Sequence, residues 1–199
     1  MLGAMLPRLH TSKLVSGWIW ATLAASIVAA VDGGWLHGWA ALAPSRIWRG
    51  ELWRIVTWAL IEGGAWNLCV VCACIYKFGG ELAGFWGDRR LRRFMLEVIA
   101  GAAVITALAA MVSDDIWYLR RVGGWAVDDA LVIAWARQFP DRTVQLYGTV
   151  RLHGRQLIAV TIAITGVYAL FHGPLAMLPE LVVCAAVYWY PGAWLARRA

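Results

Sequence analysis

Charge is what this sequence has least of. Of its 199 residues, 18 are Lys or Arg and 12 are Asp or Glu, too few to cover an ordinary soluble domain of that length. The basic residues, net charge +6, fall between apolar runs and form no stripe, which excludes a nucleic-acid footprint. Cysteine is equally sparse. Three of the four (Cys69, Cys72 and Cys74) share one apolar run, so no disulfide framework is expected and the thiols are read as buried. No His directly follows Cys72, which excludes a c-type haem motif there. Between Asp114 and Arg142 there is no Ser, Thr or Cys; that stretch therefore offers no serine, threonine or cysteine nucleophile. No His or Cys lies near its acids to complete a metal set, and no cofactor is expected.

What is present is apolar surface. Hydrophobic residues make up 61% of the chain, the mean hydropathy is +0.63, and there are 14 Trp, a residue that favours the lipid headgroup level. A spanning helix needs about 20 mostly apolar residues. Six stretches qualify or nearly so: 14–31, 66–86, 94–112, 122–139, 156–171 and 175–195. Five is the alternative if 122–139 only re-enters the bilayer. The first stretch is read as a retained span, since no small-residue cleavage site separates it from the apolar chain that continues. The expected fold is an all-α polytopic membrane protein, one domain over 1–199.

The basic residues test that reading. Placing the N-terminus in the cytoplasm puts 13 of the 18 there, with RRLRR at 89–93 as the strongest anchor; the rule for positive loops then favours six spans with both ends cytoplasmic. The location expected is a bacterial inner membrane. The segment 32–65, too polar to cross, interleaves Trp35, Trp39, Trp48, Trp53 and Trp58 with Arg46, Arg49 and Arg54, and is expected to lie in the outer interface.

Two stretches carry a family resemblance. LAPSRIWRGELWRIVTWAL (42–60) resembles the first loop of rhomboid proteases and their inactive relatives, the derlins, where a Trp-Arg pair, here Trp53-Arg54, sits in an interfacial helical hairpin. NLCVVCACIYKFGGELAGFWGDRRLRRF (67–94) is similar to the family's second span, with Asn67 near the outer end, Gly-Gly-Glu at 79–81, Trp-Gly at 86–87 and a basic turn. The resemblance implies a six-helix rhomboid-like bundle with a short, central fourth span. An active member would need a Gly-x-Ser-Gly serine at the start of that span, where this chain reads GGWAVDDAL, and a histidine on the last. His172 lies near the start of the last span, but Leu175 and Pro179 replace the glycine pattern expected after it, and Gly63 stands where a second histidine would precede Asn67. These departures point to a pseudoprotease rather than an enzyme.

The intramembrane acids are the remaining question. Asp128 and Asp129 are expected to cap the start of the fourth helix, accepting bonds from its free amides; pairing with a partner's Arg or relaying a proton is the other reading. Glu180, after Pro179 in the last span, is expected to pair inside the bundle beside a proline kink. Glu81 should reach a basic loop, Glu97 should pair with Arg93, and Glu62 should be solvated. Asn67 can bond loop backbone, and Gly80 and Gly84 can bring two helices close. Residues 140–156 alternate Val144, Leu146, Gly148 and Val150 with polar residues, as a short strand-like piece or docking surface would. The function expected is binding of other proteins' transmembrane helices within the lipid bilayer, as a client-binding pseudoprotease or as a stoichiometric subunit of a larger complex. An intramembrane protease or hydrolase with a non-standard site is the alternative. A transporter is disfavoured for want of internal repeats.

Overall fold

The computed structural model describes residues 12–146 and 150–189. Its helices follow the apolar pattern. The first, α1 (Lys13–Val31), starts at Ser12, whose hydroxyl accepts the Val15 amide and so satisfies one free donor of the first turn. The loop segment folds into α2 (Trp35–Ala40), α3 (Pro44–Ile47) and α4 (Arg54–Thr57), followed by a 3-10 turn at Trp58–Leu60. The second apolar run is continuous helix from Ala65 to Trp86, but not uniform: α5 (Ala65–Cys74) and α6 (Gly80–Trp86) are joined by a π turn, Ile75–Gly79. Then come α7 (Asp88–Ala109), α8 (Asp114–Trp117), α9 (Trp125–Gln138), the strands β1 (Thr143–Leu146) and β2 (Val150–His153), α10 (Gly154–His172) and α11 (Leu178–Trp189).

Among the described residues, Lys13–Val31, Ala65–Trp86 and Gly154–His172 are long and apolar enough to cross a membrane. The third expected span starts earlier than read, because α7 takes in RRLRR as its first turns. The alternating stretch is a two-stranded antiparallel hairpin, with Thr143 opposite His153, although Gly148 lies outside the described residues. Among the described residues, that hairpin is the one sheet in an otherwise helical fold.

The centre is α9. Its side chains from Ala126 to Ala136 are all buried, and α7, α10 and α11 pack around it. Fourteen residues make about 21 Å of helix, well short of a hydrocarbon core of about 30 Å. A helix that is apolar on every side belongs in the interior, and this one touches little lipid. At its far end, backbone meets backbone: a Cβ on Gly154 would lie 2.7 Å from the Phe139 carbonyl and 2.8 Å from that of Ala136, so only glycine lets α10 start there. Gly80 and Gly84 do not play the part expected of them, since a Cβ on either meets nothing within 4 Å. Pro179 stands in the first turn of α11, where a missing amide is tolerated, and causes no kink in the middle of a span.

The loop is held from below. Arg54 is buried, with its Nε donating to Glu51 (2.6 Å) and Nη1 to the Ala41 carbonyl (2.8 Å). The Trp48 indole donates to the Ala107 carbonyl on α7 (2.9 Å). Above this anchor, Trp35, Trp39 and Trp53 stack in sequence, with centroids 6.2 and 5.6 Å apart, and all three are exposed.

Candidate functional site: a buried acidic cluster at the start of α9

Four carboxylates are buried around the start of α9: Glu62, Asp128, Asp129 and Glu180, at 2–6% exposure. One arginine, Arg121, stands among them. An uncompensated charge inside a low-dielectric bundle is expensive, so the partners of each acid matter.

Glu62 caps the helix. Gly124 is the residue before α9, and no side chain within the helix caps it; instead the Glu62 carboxylate accepts the Gly124 amide from the first loop. The Glu62 amide in turn donates to Ser26 of α1 (3.0 Å). A Cβ on Gly124 would come within 3.0 Å of Val71 and 3.1 Å of Glu62, so this approach also requires glycine. Burial pushes the Glu62 carboxyl above the usual glutamate range, against the pull of the Gly124 amide and the Arg121 charge. The sequence reading is corrected twice here. Glu62 is not solvated, and the cap expected from the aspartates comes from a residue 62 positions away. The helix starts at Trp125, three residues before Asp128, so the aspartates lie beyond the reach of the end amides.

The two aspartates look in different directions, as adjacent helix positions must. Asp129 accepts the Thr165 hydroxyl of α10 (2.9 Å) and faces the Cys184 thiol of α11 (3.5 Å). Asp128 faces Glu62 and the Cys74 thiol of α5; apart from that thiol, a weak donor, its oxygens have no hydrogen-bond partner among the described residues. Glu180 pairs with Arg121 at 2.9 Å from Nη2 and 3.1 Å from Nε, the pairing inside the bundle that its position suggested. The backbone of Arg121 is fixed in turn by two bonds with Leu42, 2.8 and 3.0 Å.

The other expected residues lie elsewhere. Glu81 bonds Lys77 (2.5 Å), the Trp135 indole (2.7 Å) and Arg142 (3.4 Å), so it does reach the basic loop, and Glu97 does pair with Arg93 (2.8 Å). Asn67 is half-buried in the first turn of α5 and makes no side-chain bond to the loop among the described residues. His172 ends α10 rather than starting the last helix, is exposed, and stacks on Tyr168 with centroids 5.7 Å apart. Trp53 belongs to the exposed indole stack, and Cys69 is exposed rather than buried. Thr165, Cys184 and Arg121 went unnoticed in the sequence; Arg121, a charge directly before Val-Gly-Gly, was the one signal available.

The comparisons agree with the geometry. Residues 13–194 match the family described as eukaryotic integral membrane protein (DUF1751), and the chain belongs to that family. It is also 27% identical over 103 residues to Derlin-1 from Oryza sativa subsp. japonica, an overlap covering 51% of this chain and 41% of the relative. Both bear out the rhomboid-like, derlin-type resemblance read from 42–94. The chain thus matches about two fifths of that curated relative's length. The location expected from the sequence is overturned: the family is eukaryotic and the relative is from a plant, so a bacterial inner membrane is wrong. Hydropathy and loop charge report that a chain enters a bilayer, and the energetics are alike in every cell's membranes.

Proposed function

We propose that this chain is a catalytically inactive rhomboid-like membrane domain with six crossings that holds transmembrane helices of other membrane proteins, as a client binder or an assembly subunit. The carrying observation is Asp128, a buried carboxylate with no donor beside it among the described residues except the weakly donating Cys74 thiol, in a cluster where Arg121 is outnumbered by acids. Its favoured partner is a Lys or Arg, or a polar group, in the membrane-buried part of another helix. The route of approach is the side of α9 between α5 and α10, where Asp128 faces Cys74 and Asp129 faces Thr165. The six crossings comprise the three long helices together with α7, α9 and α11.

The hydrolase alternative finds less support. An aspartyl pair must share a proton across one site, whereas Asp128 and Asp129 contact different helices. Thr165 has a carboxylate beside it but no imidazole: His172 is seven residues further along α10, about 10 Å. The test is co-purification of a single-span helix bearing a central Lys, compared with the same helix bearing Leu, by the parent chain and by Asp128→Asn. Retention of the Lys helix at least tenfold above the Leu helix, lost in D128N, is the result expected. Equal retention of both helices, or full binding by D128N, would overturn the reading. Cleavage of the helix by the parent and not by D128N would establish the hydrolase instead.

A further inference from the structure

Away from the acidic cluster, a cavity of about 420 Å³ opens between α7 and α11 with α9 as its floor. Phe94, Val98 and Ile105 of α7 form one wall, Val183 and Val187 of α11 the other, and Ala134 the base. From Phe94 to Ile105 the wall runs about 16 Å, close to one leaflet of a hydrocarbon core of about 30 Å. Trp86 and Trp189 stand at one end, the level indoles prefer.

Charge is confined to that same end. Arg137 lines it, donating to the carbonyls of Val187 and Tyr188 at 2.8 Å each. Arg90 and Arg93 lie four residues before Phe94 and Glu97 and so share their helix face; Arg90 rests over the Trp86 ring at 5.5 Å. Glu97, the acid among the lining residues, is matched by Arg93; on the first turns of α7, Asp88 is outnumbered by Arg89, Arg90, Arg92 and Arg93. A dry slot one leaflet deep with a basic, indole-flanked mouth is complementary to one molecule: a phospholipid with an anionic headgroup. We infer that this groove holds the acyl chain of an anionic phospholipid, with the phosphate and headgroup against Arg90, Arg93 and Arg137. Unspecific lipid packing would use the slot without the mouth.

Native mass spectrometry of the full chain, titrated with phosphatidylserine and separately with phosphatidylcholine of the same acyl chains, reads the preference directly. The parent should bind phosphatidylserine about 30- to 140-fold more tightly, the contribution of two or three basic residues near an anionic surface. Arg90→Gln with Arg93→Gln should remove most of that preference, leaving the share owed to Arg137, while phosphatidylcholine binding stays in place. Gly101→Leu should displace both lipids, since Gly101 lines the slot and a Cβ there meets nothing within 4 Å, leaving the helix free to fold. Equal affinity of the parent for the two lipids, or undiminished phosphatidylserine binding by G101L, would overturn the assignment.

Discussion

At the level of single residues, the four buried acids differ in what they accept. Glu62 has an amide to satisfy, Asp129 a hydroxyl and Glu180 a guanidinium, while Asp128 has only the weakly donating Cys74 thiol. Replacing Glu62 with Gln keeps an oxygen for the Gly124 amide and removes the buried charge; replacing it with Ala orphans that amide, which costs about 1–3 kcal/mol. The pH dependence has a definite sign. Because the folded-state pKa of Glu62 is raised, the stability it contributes is complete below the ordinary glutamate pKa and is lost as pH rises through the raised value. Thermal unfolding in detergent from pH 4 to 8 should therefore show the parent weakening with rising pH over that window. E62Q should be flatter than the parent, and E62A less stable throughout. Asp128→Asn should leave stability unchanged or improved, a sign that the parent carboxylate is kept for something other than folding.

At the level of elements, the short helix α9 depends on what is brought to its two ends. Its start takes a cap from the first loop, and its end takes α10 at backbone contact across Gly154. Gly154→Ala forces a Cβ against two carbonyls, an overpacking that costs about 1–3 kcal/mol; a lower Tm with the helical circular dichroism otherwise intact is the expected outcome. Thr165→Val tests the join between α9 and α10 by removing the donor to a buried carboxylate, with a loss of similar size. The π turn at Ile75–Gly79 lets the second span change phase midway. There Phe78 reaches the Trp135 ring, 5.4 Å between centroids, and Gly79 sits in ordinary contact with Val15 of α1 and Leu131 of α9.

At the level of the whole molecule, one ion pair joins parts far apart in the chain. Arg121 is backbone-paired to Leu42 in the first loop and side-chain-paired to Glu180 in the last helix. Arg121→Gln leaves Glu180 buried without a counter-charge, a loss of about 3–5 kcal/mol by comparison with other broken buried pairs. Hydrogen exchange should then rise in both the 40–60 loop and the first turn of α11, although the two are not neighbours in sequence. Faster exchange in one of them alone would show that the pair does not couple them.

Much of this was legible beforehand. The apolar runs gave the long helices, though α7 starts six residues before the run read for it; the Trp-Arg loop and the 67–94 stretch gave the family resemblance, and pairs four apart, such as Arg93 with Glu97, followed from helix geometry. Valine and leucine alternation suggested a strand-like piece or a docking surface, and the structure makes it a hairpin. The cap on α9, the separate partners of Asp128 and Asp129, and the place of Glu62 were not legible, because each depends on residues tens of positions away brought together by packing. Sequence by itself determined that this chain enters a membrane and which segments are helical, since lipid demands apolar residues in runs and every amide bonded within its own segment. Only the tertiary structure decided which acids stay buried and which of them goes unpaired, because a partner for a buried charge is chosen by proximity in space.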